Sequence, residues 1–333
     1  MKRVHWIAVA LLLSAAAGCG SRSDDPKAGQ TGGDADPQQT GPAASAASSS
    51  QPAGPAEDRQ YRVTIHSTCT AKMPDGQENL IDSDASFHYT WRFRGREAEL
   101  LLHRIDDRTT LNGKPMVESS RSRERFHARR GEQVIADASF DTAGEQLKAV
   151  LRDSFDSPLC KVTFDAHGRE LARSVTAGPG AQMVLEDGII ANARLFHGPF
   201  PAGQTRWESP AEISMGQGRY ARGTLTYELR DHPAGSVGPR GRVAVKVSGE
   251  LTGGGEADAG RRDSVTYRLA GTQIYDRELG RWTSGEFDVA MSSEITAAEQ
   301  KIVATGTTDI RMELLPGGPP EVQTAARPST SLR

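Results

Sequence analysis

Phe87-His88-Tyr89-Thr90-Trp91-Arg92-Phe93-Arg94 decides the fold class. Aromatic residues take every second position, and polar or charged residues fill the positions between. A period of two sends successive side chains to opposite faces of a strand, one buried and one wet. Gly95 ends the run, and Ala98 to Ile105 reads as the next strand. Upstream, Tyr61, Val63 and Ile65 alternate with Arg62, Thr64 and His66 in the same way. Met73-Pro74-Asp75-Gly76 has the residue types of a turn, and Asn112-Gly113 those of a tight hairpin.

The same pattern continues over Tyr220–Arg230, Val243–Leu251, Ser264–Tyr275, Gly285–Ile295 and Lys301–Leu315. One amphipathic helix is expected from Thr142 to Asp156, where Leu147, Val150, Leu151 and Phe155 form a single stripe and Pro158 stops it. A second helical piece is expected over Gly188 to Phe196. With 35 glycines distributed as turn signals, many short strands are favoured over a helical bundle. The expected fold is mainly β: a large antiparallel curved sheet, or sheets, or a half-barrel, with one or two short helices.

The ends read differently. Lys2 and Arg3 precede the apolar run Trp6 to Leu13, then Ala15-Ala16-Ala17-Gly18 and Cys19. This is the form of a secretion signal, too short to span a bilayer. Residues 20 to 58 contain no Val, Ile, Leu, Met, Phe, Trp, Tyr or Cys. Such a segment buries no apolar surface to offset its ordering entropy, and as a flexible tether of about 40 residues it spans roughly 35 Å. The expected organisation is 1–18 signal, 19–58 tether, 59–197 a β-rich half with one helix, 198–315 an antiparallel β half, and 316–333 a disordered tail. Gly198-Pro199-Phe200-Pro201-Ala202-Gly203 reads as the link between the halves.

With small residues directly before Cys19, the N-terminus resembles a bacterial lipoprotein signal. The resemblance implies that Cys19 is lipidated, palmitate included, and becomes the mature N-terminus, anchoring the chain to a membrane. Gly20 and Ser21, with no Asp directly after Cys19, imply the outer membrane facing the periplasm over the inner membrane. Residues 160 to 315 resemble a group of uncharacterised β-rich envelope lipoproteins. The resemblance rests on Phe200-Pro201-Ala202-Gly203-Gln204-Thr205-Arg206-Trp207 and on the turn from Tyr275 to Gly280. That group carries no established activity to transfer.

The net charge of −3 becomes −5 when Lys2 and Arg3 leave with the signal, which argues against a nucleic-acid binder. With Cys19 lipidated, Cys69 and Cys160 form an even pair in an oxidising compartment, and a Cys69–Cys160 disulfide is expected. Catalytic motifs are missing: no His-Glu-x-x-His, Gly-x-Ser-x-Gly, Walker loop or Cys-x-x-Cys occurs. Asp82-Ser83-Asp84-Ala85-Ser86 starts like a calcium loop but has Phe87 at its sixth position and Phe93 at its twelfth. His66, His88, His103 and His127 lack metal-ligand spacing and read as the wet face of a sheet. No metal and no cofactor are expected.

One basic constellation stands out. Arg121, Arg123, Arg125, His127 and Arg129 alternate with Ser122, Glu124, Phe126 and Ala128. On one strand the arginines would form an anion-binding row; alternatively they mark a solvated face paired with acids on neighbouring strands. The expected function is non-catalytic: a membrane-anchored envelope lipoprotein that binds or supports an envelope protein, polysaccharide or lipid. The alternatives are a carrier of lipid or another hydrophobic ligand in a β half-barrel, and a hydrolase without a recognisable motif.

Overall fold

The computed structural model describes residues 57–155, 157–164, 170–175, 196, 200–201, 203–216, 219–230, 241–257, 261–297 and 300–316. The signal, the tether with Cys19, the helical piece at 188–195 and the tail beyond 316 lie outside them.

Among the described residues, fourteen strands and one helix follow in order: β1 (Glu57–Lys72), β2 (Glu78–Arg94), β3 (Glu97–Leu111), β4 (Lys114–Ser122), β5 (Arg125–Arg130), β6 (Gln133–Ser139), α1 (Glu145–Phe155), β7 (Cys160–Phe164), β8 (Glu170–Val175), β9 (Arg206–Gly216), β10 (Arg219–Leu229), β11 (Arg242–Ala257), β12 (Arg261–Asp276), β13 (Arg281–Ala297) and β14 (Gln300–Leu314). All fourteen strands join one open antiparallel sheet, ordered β6-β5-β4-β3-β2-β1-β14-β13-β12-β11-β10-β9, with the β7–β8 pair attached to the start of β3. Pairing of β1 with β14 stitches the first and last parts of the chain into this sheet. Consecutive strands pair within β1–β6, within β7–β8 and within β9–β14, and the β1–β14 and β3–β7 pairings join these three runs. The hairpin turns do much of this work: Asn112 and Gly113 both have positive φ, as a two-residue hairpin loop requires.

The alternation seen in sequence becomes two chemically distinct faces. One row of directly opposed residues runs Ser119, Asp107, Ala85, Ile65, Ile310, Phe287, Gly271, Val247, Tyr227, Trp207 from β4 to β9. These residues face the interior, and most of them join Tyr61, Tyr89, Leu100, Leu225 and Leu269 in one apolar core. A flat sheet cannot bring β1–β3 and β9–β12 into one core, so the sheet curls around its apolar face. Glycines on that face allow the curl. A Cβ added to Gly249 would lie 2.5 Å from the Thr224 carbonyl oxygen, and one on Gly306 would lie 2.5 Å from that of Thr68. Neighbouring strands approach here more closely than a side chain permits.

Helix α1 is shorter than its sequence pattern suggests, because Ser139 to Ala143 form turns: the Thr142 and Ala143 amides both donate to the Ser139 carbonyl. Leu151 and Phe155 still enter the core as the periodicity requires, followed by Leu159.

The two edges differ. Strand β9 carries Pro210, which lacks the amide needed to pair with a further strand. Strand β6 exposes Val134 and Ile135.

Candidate functional site

Inside the curl, the β9 end is filled by aromatic rings. Phe200 stacks on Tyr275 with ring centres 4.0 Å apart and meets Trp207 and Trp282 edge-on. Trp207 stacks on Tyr227 at 5.2 Å. The segments around Phe200–Trp207 and Tyr275–Gly280, far apart in sequence, therefore meet in one packed cluster. Trp207 and Trp282 are both buried, which suits packing over ligand stacking.

Toward the other end the interior turns polar. Ser67 and Thr308 hydroxyls pair at 2.9 Å, and Ser83 and Thr109 at 3.2 Å. With Cys69, Ile81, Tyr267, Met291 and Gly306, several of these residues line a cavity of about 60 Å³. Burial pushes the Cys69 thiol up to about 11 and the Tyr267 hydroxyl to about 12. A thiol held that far from ionisation is a poor nucleophile.

The outer face is polar throughout the central strands. It presents Arg62, Thr64 and His66 from β1, Asp84, Ser86 and His88 from β2, and Thr307, Asp309, Arg311 and Glu313 from β14, each in cross-strand register. A membrane-spanning barrel turns apolar residues outward toward lipid; this sheet does the reverse. Among the described residues, no helix is long and apolar enough to cross a membrane.

A groove of about 710 Å³ crosses this outer face at right angles to the strands, from β14 to β4. One wall is the row Arg311, Thr64, Ser86, Asp106, Ser120; the other is Asp309, His66, Asp84, Arg108, Glu118. Ile65, Ala85, Asp107 and Ser119 lie between the rows, with side chains turned inward. Several charges are already paired. Arg104 donates to both Asp106 oxygens at 2.7 and 2.9 Å, and the Ser120 hydroxyl donates to Asp106 at 2.7 Å. His66 Nδ1 lies 2.7 Å from Asp84 Oδ1, and Arg129 reaches Glu118 at 3.7 Å.

The arginine row expected from the sequence is not a row. Strand β4 ends at Ser122, and the chain turns at Arg123 and Glu124 before β5 begins. Arg121 therefore lies across from Phe126, faces inward, and pairs with Asp107 at 3.3 Å. Arg125 and Arg129 face outward on β5, against Asp137 and Glu118 respectively. The Ser122 hydroxyl accepts from the Glu124 and Arg125 amides, which explains the turn where alternation suggested a straight strand.

No disulfide joins Cys69 to Cys160. Cys69 is level with Ile81 and hence with Leu111 at one end of β3, whereas Cys160 pairs with Leu100 near the other. Eleven residues of strand separate those levels, about 37 Å at ~3.4 Å per residue. Bridged cysteines need Cα atoms within about 7 Å. Parity and compartment gave no information about this distance.

His66, His88, His103 and His127 all lie on strands, His103 bonded to the Thr90 hydroxyl at 2.7 Å. Among the described residues, no three His, Cys, Asp or Glu side chains gather as a metal site. Asp82 to Ser86 is straight strand within β2, so the calcium-like spacing has no loop to act in.

No protein-family model matches the chain, and no curated protein resembles it significantly. Solved structures with similar strand arrangements include lipovitellin, described for its lipid–protein interactions, at 12% identity and TM-score 0.38. The match covers 82% of this chain, which spans only 26% of the lipovitellin chain. The β domain of the Bordetella autotransporter BrkA matches at 10% identity and TM-score 0.24, over 76% of this chain and 98% of its own. An outer-membrane channel from Pseudomonas putida F1 matches at 8% and 0.21, over 81% and 100%. Likeness at this level carries nothing of function.

Proposed function

We propose that the chain is a lipid-anchored protein of the bacterial envelope with a non-catalytic binding role, and that it takes its partner on the outside of the sheet. Cys19 holds the lipid, and residues 20 to 56 hold the folded part, which begins with β1 at Glu57, away from the membrane, with the outer membrane facing the periplasm as its site. The observation that carries this reading is one of size. Ligand pockets measure roughly 300–1,000 Å³. Among the described residues, the interior cavity beside Cys69, at about 60 Å³, falls well below that range, and the outer groove, at about 710 Å³, falls within it. The charged and hydroxyl walls of the groove suit a polar envelope component over a lipid tail.

Two measurements on the full chain test this. Labelling cells with a palmitate analogue should tag the wild type and leave Cys19→Ala untagged. Native mass spectrometry of the gently purified protein should show the mass of the chain and its own anchor. An untagged wild type would remove the anchor. A further co-purifying apolar mass would replace this reading with that of a hydrophobic-ligand carrier.

A further inference from the structure

We infer that the outer groove binds a short extended peptide with a free amine and a free carboxylate, the amine at Asp309 and the carboxylate at Arg108. This rests on the reading that the partner is taken on the outside of the sheet.

Charge supports the two ends. Asp309 lies directly across from Asp288 on the neighbouring strand. Like charges so placed repel, and neither carboxylate is bonded or ion-paired among the described residues. An ammonium group would relieve that repulsion. Arg108 is the groove guanidinium that has no carboxylate within 4.0 Å among the described residues; Arg104 is held by Asp106, and Arg311 reaches Glu286. Asp84 and Glu118 flank Arg108 in register, but His66 and Arg129 already engage them.

Spacing supports the length. Asp309, His66, Asp84 and Arg108 are successive cross-strand neighbours. Three steps of ~4.8 Å separate the outer two by about 14 Å, the span of about four residues of extended peptide at ~3.4 Å each. Between the ends, Thr64 and Ser86 offer hydroxyls to peptide groups.

Calorimetric titration of the full chain in detergent tests the assignment. The probes are tetra-alanine, tetra-alanine blocked singly as the N-acetyl or as the C-amide form, and di-alanine. Tetra-alanine should bind saturably, and the blocked and short peptides at least about tenfold more weakly, since each loses a charge-assisted contact. Arg108→Gln should erase the penalty for the C-amide alone, and Asp309→Asn that for the N-acetyl group alone. Both residues are exposed, so circular dichroism of the variants should match wild type. Absence of saturable tetra-alanine binding, equal binding of either blocked peptide, or variants that discriminate as wild type would overturn the assignment. If that happens while the anchor is present and the interior carries no apolar mass, the groove assignment fails and external binding stands. A bound apolar mass would instead fail the underlying reading.

Discussion

Removing the Asp107 carboxylate should be among the costliest single changes to this fold. The Asp107 and Arg121 side chains are 6% and 7% exposed, and Arg121 Nη2 donates to Asp107 Oδ1 at 3.3 Å. The Ser119 hydroxyl donates to the same oxygen. In Asp107→Ala the buried guanidinium loses this counter-charge and the Ser119 hydroxyl loses its acceptor, a cost of about 3 kcal/mol. An exposed pair is the control. Arg268 and Glu250 lie closer, at 3.0 Å, but are 76% and 51% exposed. Water screens them, so Glu250→Ala should cost no more than about 1 kcal/mol. Burial, and not distance, decides the order. Replacing both inner partners, Asp107→Leu with Arg121→Met, should recover the loss and end near or above wild-type stability, because neither charge is then desolvated. Urea unfolding followed by the fluorescence of buried Trp91, Trp207 and Trp282 would measure all four proteins, with slopes compared to confirm that the unfolded state is unchanged. Against a typical total of about 5–15 kcal/mol, the single variant should shift the midpoint plainly. An Asp107→Ala loss below about 1 kcal/mol, or a double variant no better than the single one, would refute the reasoning.

Alkaline pH should unfold the protein early. Burial raises Tyr61, Tyr227 and Tyr267 to about 12 and Cys69 to about 11, above their unfolded values of about 10 and 9. Over that interval the unfolded chain binds fewer protons than the folded one. Stability is thus fully present below about pH 9 and falls as pH rises toward 12, by up to about 1.4 kcal/mol per pH unit for each tyrosine; a flat urea midpoint from pH 9 to 11.5 would contradict this. Gly271→Ala should destabilise by about 1–3 kcal/mol, since its Cβ would meet the Glu286 carbonyl oxygen and lie 2.8 Å from the Phe287 ring. Gly255→Ala meets nothing within 4 Å and should be neutral or slightly stabilising, with thermal melting separating the two.

Strand alternation is a local property, and it was legible. Tyr61, Val63, Phe87, Tyr89 and Trp91 are buried where a period of two places them, and Asn112-Gly113 turns the chain where its residue types require. The same alternation misled at Arg121 to Arg129, because a two-residue turn preserves the period across a break: Arg121 and Arg125 keep their spacing and lose their shared face. Strand β9 escaped notice for a related reason. Pro210 interrupts its pattern, and an edge strand tolerates what a central one would not.

The sequence by itself determined the strands, the inward and outward sets of side chains, and the polar stretch that separates the signal-like N-terminus from the folded part. Only the tertiary structure decided which outward residues are neighbours. That depends on cross-strand register, set by turn lengths and by bulges such as those at His88/Tyr89 and Thr109/Thr110, and a slip of one residue would exchange the two faces. Hence the groove walls, from β14, β1, β2, β3 and β4, are assembled from residues more than 200 positions apart and have no linear signature. The separation of Cys69 from Cys160 has the same origin: cysteine parity counts thiols, whereas the length of β3 sets how far apart they are.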